Sequence, residues 1–141
     1  MATVLILDDE QCLLKMIAIY LQNSGHSILE CASADSARQQ FRAIDGAVDL
    51  MVADVTLGAA SGVEIGLALK TSSPQLKLIF ISGYPYNAWS IRDAALLLEL
   101  PADSVRVLQK PFSALDLLIK VDELIGKLPK SVSTPSLAGS A

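Results

Sequence analysis

The sequence predicts one doubly wound α/β domain, in which helices cover both faces of a parallel β-sheet. Three runs of four apolar residues, at 4–7, 50–53 and 78–81, have the pattern of strands that are buried on both faces. Stretches with apolar residues three and four positions apart, the pattern of amphipathic helices, lie between these runs. Strands that alternate with helices in this way form parallel sheets with right-handed crossovers.

Five strands and five helices are predicted. The strands span 4–7, 27–31, 50–53, 78–81 and 104–108. The helices are predicted, in chain order, by the apolar positions Leu14, Ile17, Ala18 and Leu21; Ala34, Ala37, Phe41 and Ile44; a less regular segment at 62–71; Ile91, Ala94, Ala95 and Leu98; and Leu117, Leu118, Val121, Leu124, Ile125 and Leu128.

The polar content of the strands predicts their order in the sheet. The runs at 27–31 and 104–108 contain polar residues and belong at the margins, whereas the fully apolar runs belong in the middle. The resulting spatial order is 2-1-3-4-5, which is the flavodoxin-like arrangement. In this topology, ligands bind beyond the carboxyl ends of the strands, at the switch point between the first and third strands.

Length and composition limit the class of protein. The chain has 141 residues, of which 52% are hydrophobic and 18% are charged, and this composition excludes a disordered chain. No apolar run approaches the ~20 residues of a transmembrane helix, so we expect no membrane partner. We assign 1–128 to the domain and the Ser- and Pro-rich residues 129–141 to a flexible tail. A net charge of −4 lacks the basic footprint of proteins that bind nucleic acid directly.

The few cysteines and histidines exclude several kinds of site. Cys12 and Cys31 lie among apolar residues without CxxC spacing, so we expect both thiols to fill the core. Residues 1–20 lack the pattern of a signal peptide, and together these features favour a reducing, cytoplasmic location. His26 is the single histidine, which argues against a His-rich metal site or a Ser/His/Asp triad.

Polar residues follow four of the predicted strands, at the edge where this topology binds ligands. Asp8 and Asp9 follow the first strand, Asp54 the third, Ser82 the fourth and Lys110 the fifth. The step from Asp8 to Asp54 is 46 residues, and the steps from Asp54 to Ser82 and from Ser82 to Lys110 are 28 residues each. A strand–helix unit takes about 30 residues, so these groups fall on strand ends around one crevice.

Three carboxylates in one crevice require cations. Two like charges 4 Å apart repel by about 4 kcal/mol at an effective dielectric constant near 20. Lys110 supplies one positive charge. A divalent ion that prefers oxygen ligands is a suitable second, and Mg²⁺ fits because it binds through one or two carboxylates and completes its shell with water and phosphate oxygens.

The combination of Asp8-Asp9, Asp54, Ser82 and Lys110-Pro111 resembles the receiver domain of two-component response regulators, over about residues 3–127. The resemblance implies that Asp54 accepts a phosphoryl group from the phosphohistidine of a sensor kinase or a histidine phosphotransfer protein. It implies that the domain assists only its own phosphorylation and dephosphorylation and has no other enzymatic activity. It also implies a cis peptide bond before Pro111.

The same resemblance assigns roles to the remaining site residues. Asp9, Asp54 and the backbone carbonyl of Thr56 would bind Mg²⁺ directly, and Asp8 would act through water. Ser82 would donate a hydrogen bond to one phosphoryl oxygen. Lys110 would pair with another.

Two positions depart from the pattern of many receivers. Gly58 stands where many receivers have proline, four residues after the acceptor, and we expect a more mobile loop there. Val107 stands where many have an aromatic residue, three positions before the lysine, so the usual aromatic relay is absent or altered.

Other functions stay open on sequence alone. The chain could be a phosphorylation-independent interaction module of receiver fold, or a phosphohydrolase of the haloacid dehalogenase type. The latter family places its nucleophile after the first strand, in a DxD pattern. The sequence also leaves open whether the receiver stands alone or belongs to a hybrid sensor kinase.

Overall fold

The computed structural model describes residues 2–58 and 60–126. It contains ten main elements, which alternate as predicted. They are β1 (Thr3–Leu7), α1 (Gln11–Asn23), β2 (Ser27–Cys31), α2 (Ala34–Ala43), β3 (Leu50–Asp54), α3 (Gly62–Ser72), β4 (Lys77–Ser82), α4 (Ile91–Leu98), β5 (Val105–Gln109) and α5 (Ala114–Ile125). Short 3₁₀ turns, Tyr86–Ala88 and Ala102–Ser104, precede α4 and β5.

The five strands form one parallel sheet in the order 2-1-3-4-5, which confirms the predicted topology. All residues of β3 are buried, as expected for a central strand that helices cover on both sides. By contrast, β2 and β5 each have a single buried residue, as expected for strands at the margins of the sheet.

The sheet separates two apolar clusters, because successive strand residues point to opposite faces. Met51, Ala53, Leu78 and Phe80 face one cluster with α2, α3 and α4, and Val52, Ile79 and Ile81 face the other with α1 and α5. The two clusters share no residue among those described.

The prediction of which residues of α4 face the core is wrong. Ile91 and Leu98 are 90% and 80% exposed, and Ala95 is exposed as well. The helix packs instead through Ala94, Leu96 and Leu97, which are only partly buried against the first cluster. Apolar residues occur almost all round this short helix, so their spacing alone could not identify the face that meets the sheet.

The prediction of two buried thiols holds for one of them. Cys31 ends β2 and is buried, but Cys12 is exposed in the first turn of α1. The inner face of α1 is formed by Leu14, Ile17, Ala18 and Leu21, as predicted, and a position two residues before Leu14 points away from it.

Two sequence predictions concern residues outside the described part of the chain: the contribution of Leu128 to the last helix and the flexible tail at 129–141. Within the described residues, no helix combines the length and apolar character needed to cross a membrane.

His26 is buried in the turn between α1 and β2. Its backbone N–H donates to the carbonyl of Leu21, and its Nδ1 has no hydrogen-bond partner among the described residues. Burial lowers the pKa of His26, and the positive charge of the amino terminus adds to this effect. The carboxylates of Asp122 and Asp49 act in the opposite direction without reversing it.

We expect mild acid to destabilise the fold through His26. Because its pKa is lower in the folded state, the unfolded chain binds the proton more readily as the pH falls below 6.5. The free energy of unfolding then decreases by at most about 1.4 kcal/mol per pH unit. Urea unfolding of the wild type and His26→Gln from pH 8 to pH 5 should show the wild type losing stability relative to the variant. A difference that is independent of pH would contradict this.

Candidate functional site

The carboxyl ends of four strands meet at one crevice, as the spacing predicted. Asp8 follows β1, Asp54 ends β3 and Ser82 ends β4, and all three side chains are buried. Backbone hydrogen bonds continue the sheet beyond its regular ladder, from Val55 N–H to the carbonyl of Ile81 and from Lys110 N–H to the carbonyl of Ser82, at 2.9 and 2.8 Å. The sheet therefore fixes the relative positions of these residues.

Each carboxylate oxygen of Asp54 has a polar partner. The Lys110 ammonium lies 2.8 Å from Oδ2, and the backbone N–H of Thr56 donates to Oδ1 at 2.8 Å. The Asp54 side chain is only 9% exposed, so solvent screens this ion pair little. The Lys110–Pro111 peptide bond is cis, as the resemblance implied.

The carboxylate of Asp54 stabilises the charged form of Lys110. Burial acts to lower its pKa, but the hydrogen bond and charge of Asp54 outweigh that effect, with smaller contributions from Asp8 and Glu10, and the pKa is raised. Lys110 therefore provides a permanent positive charge beside the Asp54 carboxylate at neutral pH.

Asp8 carries an unsatisfied buried oxygen. Its Oδ1 accepts a hydrogen bond from the backbone N–H of Glu10 at 2.8 Å, whereas Oδ2 is buried without a partner among the described residues. Burial raises the pKa of Asp8 to about 6; the charges of Asp54 and Asp9 add to this, and the Glu10 hydrogen bond and Lys110 oppose it. A buried carboxylate oxygen without a partner is costly, and a bound cation together with its coordinated water would satisfy it.

The remaining predicted ligands lie at the rim. Asp9 and Thr56 are exposed. In the part of the chain that the structure describes, no three His, Cys, Asp or Glu side chains cluster in a way that could hold a metal ion. The structure thus places Asp8, Asp54 and Lys110 close enough for their charges to interact. The exposed side chain of Asp9 does not join them in a set of metal ligands.

Ser82 faces the segment that follows it. Its Oγ donates to the carbonyl of Tyr84 at 2.8 Å and accepts from the N–H of Tyr84 at 3.0 Å. Short polar side chains commonly make such local bonds to the backbone two residues further on. In this arrangement the hydroxyl hydrogen is used by the carbonyl of Tyr84, so Ser82 would have to give up that bond before it could donate to another acceptor.

The loop after Asp54 is a small antiparallel ribbon that pairs Thr56–Leu57 with Ala60–Ser61. Gly58 lies in it with a φ of 57°. A proline, whose φ is fixed near −65°, could not adopt this conformation. The departure at Gly58 therefore accompanies a turn that the usual residue would prevent.

Gly62, the first residue of α3, belongs to the site, although its position in the sequence predicted no such role. A Cβ atom at this position would overlap with the carbonyl oxygen of Asp54 and lie 2.9 Å from its carbonyl carbon. Its N–H donates to the carbonyl of Val55 at 2.9 Å. The absence of a side chain lets the start of α3 lie directly against the backbone of β3 at Asp54. A glycine directly after the helix-capping Ser61 was the available signal.

Comparisons with known proteins show which sequences this chain resembles. The family model described as the response regulator receiver domain matches residues 4–122. The sensor kinase CckA of Brucella abortus (strain 2308) is 33% identical over 127 residues, which cover 89% of this chain and 13% of the kinase. The chain therefore spans only a small part of that relative.

Solved structures have the same fold. A response regulator receiver domain protein from Clostridium thermocellum matches with a TM-score of 0.75 and 26% identity, over 89% of this chain and 94% of that one. The response regulator protein TrrA of Thermotoga maritima, solved in complex with Mg²⁺ and BeF, matches with a TM-score of 0.72 and 23% identity, over 89% and 100%.

Substitution of Gly62 by alanine should displace the Asp54 backbone or destabilise the domain. The new methyl group must push away a strand carbonyl, and overpacking of this kind costs roughly 1–3 kcal/mol. Gly83→Ala is the matched control, since no described atom lies within 4 Å of its added Cβ. Urea unfolding of both variants measures the difference. Equal stability of Gly62→Ala and the wild type would show that the close approach is not a constraint.

Proposed function

The chain belongs to the response regulator receiver domain family, and from that membership we propose that it is a Mg²⁺-dependent switch that accepts a phosphoryl group on Asp54. The proposed donor is the phosphohistidine of a sensor histidine kinase or histidine phosphotransfer protein. The family match supports this interpretation over a haloacid dehalogenase, whose nucleophile would follow β1. Turnover of other substrates is not part of the proposal.

One observation carries the proposal: the buried Asp54 carboxylate lies 2.8 Å from the Lys110 ammonium at the switch point of the sheet. In the transfer, an Asp54 oxygen would form a bond to phosphorus while the phosphorus–nitrogen bond to the donor imidazole breaks and the imidazole leaves. A carboxylate and a phosphoryl group repel each other, so the site must mainly cancel charge and align the attack. Lys110 provides that charge, and Thr56 N–H orients the carboxylate.

The residues present fit a magnesium ion. Asp8 offers a buried oxygen without a partner, and Asp9, Asp54 and the Thr56 carbonyl offer further oxygen ligands of the kind that Mg²⁺ prefers. We propose that these four residues hold the ion, with Asp8 acting through water. When bound, the ion would neutralise negative charge on the phosphoryl oxygens. TrrA, solved with Mg²⁺ and BeF, is a precedent within the same fold.

Ser82 is proposed to respond to the phosphoryl group. Phosphorylation adds about −1.5 to −2 charges at one point, which attracts hydrogen-bond donors. To donate to a phosphoryl oxygen, the Ser82 hydroxyl would have to leave the carbonyl of Tyr84, to which it now donates. The segment from Gly83 to α4 would then lose one of its anchors. The change at Asp54 would in this way reach the surface of the domain.

We propose that the protein is cytoplasmic. Both cysteines are free thiols, which is usual for proteins of a reducing compartment.

Incubation with Mg²⁺ and acetyl phosphate should yield a single phosphoryl adduct by intact mass. Asp54→Asn should abolish the adduct because it removes the nucleophile. Lys110→Ala should slow its formation by about 10²-fold, as loss of one group that stabilises transition-state charge usually does. Asp103→Asn, an exposed acid remote from the crevice, is the control. Adduct formation on Asp54→Asn at the wild-type rate would contradict the assignment.

Magnesium should raise the melting temperature of the wild type, and Asp8→Asn should reduce that shift. A ligand at 100 times its dissociation constant stabilises the fold by about 2.7 kcal/mol. In EDTA the variant should be at least as stable as the wild type, because it removes a buried, unpartnered charge. Its advantage should be larger at pH 8 than at pH 5, since Asp8, with its pKa raised to about 6, is mostly neutral at the lower pH. An unchanged magnesium response would exclude Asp8 from the site.

A further inference from the structure

A hydrogen bond between two side chains that are far apart in the sequence connects helix α4 to the loop after Asp54. The Ser61 hydroxyl donates to Oδ1 of Asp93, in the first turn of α4, at 2.6 Å across 32 positions of sequence. Ser61 also caps α3, since its Oγ accepts the N–H of Glu64 at 3.3 Å. This residue therefore joins the acceptor loop, α3 and α4.

A continuous set of contacts leads from Asp93 to the acceptor. Ser61 lies directly opposite Thr56 in the antiparallel ribbon, and the N–H of Thr56 donates to Oδ1 of Asp54. Gly62, the next residue, lies against the Asp54 backbone and bonds the carbonyl of Val55. Any movement of Ser61 thus acts on both ends of the loop that orients the Asp54 carboxylate.

Asp93 is well placed to fix Ser61. Its own N–H is held by Oγ of Ser90 at 3.0 Å, and its carboxylate sits at the amino end of the helix, where negative charge is favoured. None of the eight residues of α4, all of which the structure describes, is fully buried. Its apolar contacts are only partly buried, so the polar contact with Ser61 adds to what positions this helix against the loop.

We propose that Asp93 is a positioning residue for phosphoryl transfer, which acts through Ser61 and Thr56 to hold Asp54 in its reactive orientation. The inference rests on the proposed function of Asp54. Because coupling between two sites is reciprocal, a phosphoryl group that alters the Thr56–Asp54 contact also alters how α4 is held. The path starts at the acceptor itself and does not require an aromatic residue at position 107.

A neighbouring contact serves as an internal control. Arg92 and Glu64 join the same two helices through a 2.9 Å ion pair between exposed side chains. Glu64 contacts Ser61 through its backbone N–H, which the loss of the Arg92 side chain does not remove. If any link between α3 and α4 were sufficient, loss of this pair would have the same effect as loss of the Ser61–Asp93 bond. If the effect instead depends on the contacts through Thr56, loss of the Arg92–Glu64 pair would leave the Asp54 loop unaffected.

The test measures amide hydrogen exchange at Thr56 in the full chain without phosphate. Asp93→Ala should speed that exchange by about three- to tenfold, the range expected for loss of one hydrogen bond. Asp93→Asn retains the acceptor oxygen and should restore slow exchange, and Arg92→Met should leave it unchanged. Unaltered exchange in Asp93→Ala, or an equal increase in Arg92→Met, would overturn the inference.

Two further measurements complete the test. The rate of adduct formation from acetyl phosphate should fall in Asp93→Ala and recover in Asp93→Asn. In a double-mutant cycle, Ser61→Ala and Asp93→Ala should be non-additive for Thr56 exchange, and additivity would count against the path. A wild-type protein that forms no adduct would refute the proposed function, whereas Thr56 exchange would still decide the structural inference.

Discussion

The Asp54–Lys110 ion pair is the interaction on which the crevice depends. Two buried carboxylates, those of Asp8 and Asp54, lie at one sheet edge, where their mutual repulsion is poorly screened. Lys110 offsets part of this charge from the end of β5. Asp8 keeps one oxygen without a partner among the described residues. The carboxylates of the site therefore outnumber the ammonium groups beside them. This excess of negative charge favours the binding of a cation.

Much of this arrangement could be predicted from the sequence because its causes are local. Fully apolar runs identify the three central strands, and a parallel sheet must gather their carboxyl ends on one side. The residues that follow the strands, Asp8, Asp54, Ser82 and Lys110, then belong to one crevice. The order 2-1-3-4-5 follows from pattern and topology, which also put the charge of Lys110 among these carboxylates. The direct contact between Lys110 and Asp54 is seen only in the folded structure.

The features that escaped prediction depend on contacts between distant elements. The orientation of α4 was unpredictable because the helix is apolar on nearly every side, so packing against the sheet decides it. The role of Gly62 depends on how closely α3 approaches Asp54, and the bond between Ser61 and Asp93 depends on where α4 begins. Ser, Gly and Asp at these positions look like ordinary helix starts, and only the folded arrangement gives them a second role.

The separation of the interior into two apolar clusters has a mechanical consequence. The β-sheet acts as a wall: α2, α3 and α4 pack on one side, and α1 and α5 on the other, without a shared residue among those described. Side chains on one side can repack with little disturbance across the wall, since changes at sites without common partners are nearly independent. A substitution in the α2–α3–α4 cluster should therefore leave the packing of α1 and α5 nearly unchanged.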